Sequence, residues 1–267
     1  MTRSPAPDEV LRQGQYKDAS KLNARIRIHQ QFSMVSETWD NFILSNLQLS
    51  PGETILELGC GNASQTRHNR SAYPASLRYF LADFSFGMLQ EAVMELKDDP
   101  RFSFSVQDAQ TLAFPDENFD LITANHMLYH VPDIKLALRE IYRLLKPGGR
   151  LMAATNGRGH MQDLDRLIQD FSATNELLHT FHNSFNLEEG LHLVKSIFGN
   201  CNLKIYLSDL WVTQAQPLTD YVMSLESILI DNSIRSPDKL TLFFQKLIDM
   251  EGGIRIRKST GLLLATK

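Results

Sequence analysis

Ile55-Leu56-Glu57-Leu58-Gly59-Cys60-Gly61-Asn62-Ala63-Ser64 decides the fold: an apolar run passes without a break into a turn that carries glycine at 59 and 61. Entered from the turn signal Ser50-Pro51-Gly52, the run Thr54–Leu58 reads as a short buried strand. The two glycines permit a tight turn and let the backbone approach a ligand with no Cβ in the way. In a doubly wound sheet, such a strand is followed about 20 residues on by a carboxylate at the end of the second strand, which accepts hydrogen bonds from ribose hydroxyls. Asp83 closes Tyr79-Phe80-Leu81-Ala82-Asp83, 22 residues beyond Gly61. Two competing readings use the same residues. In one, the glycines make an ordinary strand-to-helix turn and Asp83 caps a helix. In the other, the loop seats the pyrophosphate of a nicotinamide dinucleotide, against which stands Ser64, where G-x-G-x-x-G has its third glycine.

Outward from this stretch, strand-like and helix-like segments alternate. Leu77–Ala82, Phe102–Gln107, Leu121–Ala124 and Arg150–Thr155 read as strands, and Gly87–Lys97 and Ile134–Leu145 as helices. Alternation of this kind predicts a parallel sheet covered on both faces. Pro147-Gly148-Gly149 is expected to close the second helix, with Arg143 and Lys146 in its last turn, where the dipole favours cations. Leu203–Leu207, Ile254–Arg257 and Leu262–Thr266 read as late strands, the last two pairing through Ser259-Thr260-Gly261 to complete a sheet edge. Upstream, residues 1–14 read as an extended tail, and Leu22, Ile26, Ile28, Phe32, Val35, Trp39, Phe42, Ile43 and Leu47 recur at helical spacing. The expected organisation is an N-terminal helical cap over 1–50, a core over 51–158, an inserted helical lid over 159–200, and the C-terminal part of the core sheet over 201–267.

Hydrophobic residues make up 43% of the 267, ample for a packed core without disulfide or metal. The two cysteines, Cys60 and Cys201, have no metal-ligand spacing, and no run of about 18 apolar residues suggests a membrane span. A soluble, cytoplasmic protein is expected. With 27 Lys and Arg against 31 Asp and Glu the formal charge is −4, so a nucleic-acid partner is not expected. The suggestive run Arg255-Ile256-Arg257-Lys258 alternates like a half-exposed strand.

Five segments together resemble the class I S-adenosylmethionine-dependent methyltransferases, in particular the small-molecule branch with the ubiquinone and sterol C-methylating enzymes. They are ILELGCGNAS, LADFSFGML, QDAQTLAFPDENFDLI, NHMLYHVPD and LREIYRLLKPGGRLMAAT, in the family's order over residues 54–155. The resemblance implies an α/β, Rossmann-like doubly wound sheet of seven strands, mostly parallel with an antiparallel last strand. It also implies S-adenosyl-L-methionine as cofactor, with S-adenosyl-L-homocysteine as product. Carried over residue by residue, Glu57 supports the methionine amino group through the loop and Gly59, Cys60 and Gly61 face the cofactor. Asp83 holds the ribose, Phe84 and Met88 follow it, Asp108 with Ala109 borders the adenine, and Asn125 begins the segment beside the methionine part. Asn62 stands where Thr, Ser or Gly is commoner.

His126 and His130, four residues apart after the fourth strand, are the candidate catalytic bases, because imidazole titrates near neutral pH. Packing under the lid is the competing role for both. Tyr16, in the cap segment Gln15–Ser20, is a candidate for contact with the sulfonium, since an aromatic face attracts a cation; a hydrophobic clasp is its alternative. Phe171, Phe181, Phe185, Trp211 and Tyr221 fall where acceptor pockets form in the family, or are core. His160, His179, His182 and His192 lack a zinc spacing and read as polar surface. The expected activity is methyl transfer to O or N, with C behind them, of a small, partly apolar or aromatic metabolite in small-molecule biosynthesis or secondary metabolism. An RNA or protein methyltransferase, and a catalytically silent S-adenosylmethionine-binding regulator, are the alternatives. Monomer and homodimer stay equally open.

Overall fold

The computed structural model describes residues 20–172, 184–225 and 236–267. In chain order these form α1 (Ser20–Phe32), α2 (Trp39–Leu47), β1 (Thr54–Leu58), α3 (Ser64–Asn69), β2 (Arg78–Asp83), α4 (Phe86–Leu96), β3 (Phe102–Val106), β4 (Phe119–Asn125) and α5 (Ile134–Leu144). There follow β5 (Leu145–Asn156), α6 (Gln162–Ser172), α7 (Leu187–Phe198), β6 (Asn202–Tyr206), β7 (Leu210–Val212), α8 (Ala215–Ser224), α9 (Pro237–Glu251), β8 (Ile254–Ile256) and β9 (Thr260–Thr266). They fall into two compact units. The core unit takes residues from 39–158, 181–206 and 260–267, and the second unit from 1–38, 159–180 and 207–259.

The core unit is a seven-stranded sheet in the order β3-β2-β1-β4-β5-β9-β6. Leu56 pairs with Phe80 on one side and Ile122 on the other, both in parallel register. β9 alone runs against its neighbours, with Met152 opposite Leu264 and Leu203 opposite Leu263. The expected sheet of seven strands with an antiparallel last one is therefore present. Every residue of β1 is buried, as a central strand covered on both faces requires. On one face Leu138, Ile141 and Leu144 of α5 and Val194 and Phe198 of α7 pack with Leu56, Leu58 and Phe119. On the other, Ile43 and Leu47 of α2 and Leu89, Ala92 and Leu96 of α4 pack with Ile55, Tyr79 and Leu81.

The second unit surrounds its own apolar core, in which Ile28, Leu164, Ile168, Leu218, Phe244 and Ile256 are fully or almost fully buried. Its two-stranded sheet sets Trp211 of β7 opposite Arg255 of β8. This overturns the expected pairing of Ile254–Arg257 with the following strand. The connection is tied down instead of turned into a hairpin: Arg257 N–H donates to Asp163 Oδ2 at 2.8 Å and Lys258 N–H to Asp209 Oδ1 at 3.1 Å. β9 then lies inside the large sheet, and β6 forms the edge. The expected segment boundaries are crossed as well. Of 1–50, α1 belongs to the second unit and α2 to the core unit, and of 159–200, α6 belongs to the second unit and α7 to the core unit.

Pro147-Gly148-Gly149 follows the helix as expected, two residues past the C-cap Leu145, and it also lies within β5, which starts at Leu145. The register against β4 shifts between Phe119 and Leu121, so the four residues Lys146–Gly149 stand opposite Asp120 alone, as an irregular bulge. A Cβ on Gly149 would stand 2.8 Å from the Lys146 carbonyl oxygen. Arg143, expected to answer the helix dipole, also donates to Glu140 and Asp116 and to the carbonyls of Leu112 and Phe114, tethering the loop that follows β3.

Candidate active site

The strand order reverses between β1 and β4, and the carboxyl ends of the strands beside such a switch point form the ligand crevice of an open α/β sheet. The glycine turn leaves β1 at this end. Gly59 and Gly61 have φ of +65° and +56°, a left-handed backbone that glycine enters without penalty. Room is equally restrictive: a Cβ on Gly59 would lie 2.5 Å from Met127 Cβ, and one on Gly61 3.2 Å from Met88 Cε. Ala63, with φ of +55°, then leads into the six-residue α3.

Asp83 ties the glycine turn to the next one. Its Oδ2 accepts from Gly61 N–H at 2.7 Å and its Oδ1 from Ser85 N–H at 2.7 Å. Burial pushes the carboxyl up from its ordinary range, and the amides of Ser85, Gly61 and Phe84 pull it back. Ser85 is the N-cap of α4, accepting from Met88 N–H, so Asp83 is not that helix's cap. Gln107 N–H donates to the Asp83 carbonyl at 3.1 Å, joining the ends of β2 and β3. Asp108 then folds its carboxylate onto the Gln110 amide at 2.8 Å, beside the buried Ala109.

Beneath the turn, Glu57 is 5% exposed. Its Oε2 accepts from the Thr66 hydroxyl at 2.6 Å and the Tyr79 hydroxyl at 3.1 Å. Burial raises the Glu57 carboxyl to about 7, against the pull of those two hydroxyls, with the Asp83 charge adding to the rise. The Cys60 thiol is pushed well up by burial and by the same two carboxylates.

At the end of β4, Asn125 donates to Gln65 Oε1 at 3.4 Å, while its own Oδ1 is buried without a hydrogen-bond partner among the described residues. His126 follows with φ of +54°, its N–H held by the Ala154 carbonyl at 2.9 Å. Aromatic rings continue along this edge: Trp39 lies 5.4 Å from His126 and 5.3 Å from Tyr206, and Tyr129 lies 6.5 Å from His126 and 4.5 Å from His130. His130 ends the 3-10 turn Leu128–His130.

Residues 56–153 match the methyltransferase domain family. A ubiquinone/menaquinone biosynthesis C-methyltransferase of Vibrio cholerae serotype O1 is 30% identical over 141 residues, 52% of this chain and 54% of that protein. Residues 56–153 are a class I S-adenosylmethionine-dependent methyltransferase domain. The chain spans about half the length of the curated relatives it matches. Among solved structures, phosphoethanolamine N-methyltransferase 2 of Haemonchus contortus, bound to phosphomonomethylethanolamine and S-adenosylhomocysteine, superposes with a TM-score of 0.61. Its identity is 18%, with 100% of this chain and 61% of that one covered. The [4+2]-cyclase SpnF superposes with a TM-score of 0.59 at 16% identity, covering 100% of this chain and 97% of its own. These likenesses establish the methyltransferase domain's fold.

Around this domain's switch point the structure gathers Glu57, Gly59, Cys60, Gly61, Asp83, Phe84, Asp108, Ala109, Asn125, His126 and His130 at the strand ends or in the turns leaving them, with Met88 in the first turn of α4. Tyr16, His179, His182 and Phe181 lie outside the described residues. Phe185 is fully buried in the core unit, and Phe171 and Tyr221 pack in the second unit's core. Sequence reasoning missed Thr66, Gln65, Met127 and the ring of Tyr79. Met127 lies inside NHMLYHVPD and Tyr79 in the strand that Asp83 closes, but the weight of all four comes from tertiary contacts with motif residues. Among the described residues, no helix is long and apolar enough to cross a membrane and no His, Cys, Asp or Glu group could hold a metal.

Proposed function

We propose that this chain transfers a methyl group from S-adenosylmethionine to an O or N atom of a small, partly apolar acceptor. One observation carries the reading: Asp83, fixed by the amides of Gly61 and Ser85, stands at the switch point with lone pairs left for hydroxyls. The surrounding residues fit such a cofactor in three further ways. The turn presents glycine backbone where a Cβ would be obstructed. Asn125 Oδ1 is a buried acceptor for an ammonium donor. Glu57 and Asp83 put two carboxyls beside the turn, and among the described residues no cation contributes to the titration of either. That field suits a cationic ligand and opposes a pyrophosphate, which disfavours the dinucleotide reading.

The bound cofactor supplies a methyl group on a positively charged sulfur. The protein's part is to hold acceptor and donor in line and to exclude water. In this reading Asp83 binds ribose hydroxyls, the glycine turn and Asn125 hold the amino-acid portion, and Ala109 lies against the adenine. His126 and His130 stand at the acceptor side, where an imidazole nitrogen takes the proton of an attacking hydroxyl or amine. The rings of Trp39, His126 and Tyr129 favour an apolar or aromatic acceptor. A cytoplasmic setting belongs to the same proposal and is supported by the unpaired thiols of Cys60 and Cys201.

A macromolecular acceptor is disfavoured by the state of the one basic run. Arg255 pairs with Asp209 at 2.8 Å and Arg257 with Asp163 at 2.5 Å, which neutralises that strand locally. The likeness to a protein named as a cyclase favours one second reading, a methyltransferase domain used without methyl transfer, because a fold does not fix a reaction. Calorimetric titration of S-adenosylmethionine into wild type and Asp83→Ala tests the proposal, followed by a panel of phenol, amine and carbon acceptors scored for S-adenosylhomocysteine. Binding of roughly −8 kcal/mol that the substitution weakens strongly is expected. A folded wild type that binds no cofactor refutes the proposal, and binding without product from any acceptor favours the second reading.

A further inference from the structure

Among the described residues, no cation answers the buried carboxyl of Glu57. It sits on the fully buried β1, 5% exposed, with both hydroxyl donors, Thr66 from α3 and Tyr79 from β2, on a single oxygen. Tyr73 closes the floor, stacked on Tyr79 with ring centroids 5.5 Å apart and planes 5° from parallel. Among the described residues, the other ionisable groups that act on this carboxyl or feel its charge are Asp83, Cys60, Tyr73 and Tyr79, none of which is a cation. On α3, Arg67 pairs with Glu95 at 3.2 Å, and the carboxyl that His68 acts on is that of Asp40. A buried carboxylate with hydrogen bonds but no counter-charge favours its protonated form.

Taking the S-adenosylmethionine reading of the site as its premise, we propose that Glu57 is a proton-linked counter-ion of the cofactor: it gives up its proton when the cationic donor binds and regains it when the product has lost that charge. S-adenosylmethionine carries one more positive charge than S-adenosylhomocysteine, on the sulfur, and the two are otherwise the same ligand apart from the methyl. The site therefore distinguishes cofactor from product by charge, and the distinction widens as pH rises through the range where free Glu57 titrates, near 7. Glu57 acts beneath the turn as a positioning and charge-balancing residue, and the proton leaves to solvent.

The test is calorimetry on the full chain with each ligand at about pH 6 and about pH 8, in buffers of differing ionisation enthalpy, which reads proton release directly. For a group titrating at about 7, full linkage makes S-adenosylmethionine bind about tenfold more tightly at the higher pH, beyond any change for S-adenosylhomocysteine. The subtraction removes the amino group that both ligands share. Glu57→Gln, which keeps an acceptor for Thr66 and Tyr79, should abolish the excess proton release and flatten the difference. Tyr79→Phe removes one donor that favours the ionised form and should move the transition to higher pH; it serves as the second variant if Glu57→Gln does not fold. Parallel pH profiles for the two ligands, or an unchanged difference in either variant, overturn the inference while leaving the cofactor reading intact. No binding of either ligand by wild type overturns both.

Discussion

Gly59→Ala is the most demanding test of the glycine turn. At φ of +65° an alanine carries the left-handed penalty of about 1–2 kcal/mol. Its Cβ would also stand 2.5 Å from Met127 Cβ and 2.7 Å from Met127 Cγ. The Cβ contact is the harder one, because no rotamer change moves a Cβ, so the turn and the segment after β4 must separate. Overpacking of this kind costs about 1–3 kcal/mol, which brings the expected loss to roughly 2–5 kcal/mol. For a chain of this size that lowers the melting temperature by about 4–20 °C. The same displacement widens the crevice between the Gly59 turn and the segment starting at Asn125, so cofactor affinity should fall at least about tenfold, or 1.4 kcal/mol. Met127→Ala should not rescue the variant, since its Cβ remains. Met127→Gly should recover the overpacking part and leave the left-handed part. Thermal unfolding and calorimetry on the single and double variants would show this. A Gly59→Ala protein within about 0.5 kcal/mol of wild type, or equal rescue by Met127→Ala and Met127→Gly, would refute the reasoning.

Glu57→Gln should alter stability with a definite sign. The folded carboxyl titrates at about 7 against 4.5 when unfolded, so wild type loses stability as pH rises through that window. The glutamine variant should be the more stable one above about pH 7, by up to about 3 kcal/mol, with the advantage gone below about pH 4.5. Denaturant unfolding on both sides of the window checks this, and an advantage independent of pH would contradict it. Asp83→Asn can accept only one of the Gly61 and Ser85 amides, leaving the other facing an NH2 group; a loss of about 1–3 kcal/mol in stability and a larger loss in cofactor affinity are expected from the same two measurements. Arg143→Ala frees the loop after β3 from Glu140, Asp116 and two carbonyls, so amide hydrogen exchange over residues 108–118 should accelerate before that of β4 does. The Cys60 thiol, buried and shifted up, should resist alkylation near pH 8 until the protein is unfolded.

Much of the core unit was legible because its signals are local. Apolar runs bounded by turn residues gave β1 to β4, and Gly59, Gly61 and Asp83 declared the switch point before any pairing was known. The C-terminal third resisted for a physical reason. Ile254–Ile256 is short and alternates, which fits any edge, and its partner Leu210–Val212 is only three residues long. The near-continuous apolar run of Thr260–Thr266 suits an interior strand, yet which neighbours it takes depends on topology. Pro147-Gly148-Gly149 marked the helix end correctly, but its second place, inside β5, shows only in the register against Phe119 and Leu121. Within the site, Thr66 and Tyr79 were illegible because their importance comes from one oxygen of Glu57. The alternation around Ile256 was read correctly even though its partner was not: Ile256 is fully buried between two exposed arginines.

The interior position of β9 constrains how the chain becomes a protein. On the ribosome β6 emerges well before the only strand it bonds to in the large sheet, and β5 waits still longer, since Asn156 and Thr260 are 104 residues apart. Between β6 and β9 the chain must lay down β7, α8, α9 and β8, all of the other unit. The order of synthesis therefore differs from the order of assembly. Until residues 260–266 arrive, β5 and β6 each show an unsatisfied hydrogen-bonding edge, the kind of surface on which nascent chains meet one another. Chaperone demand during synthesis should rise after β5 is made and end when β9 slides between its two waiting neighbours.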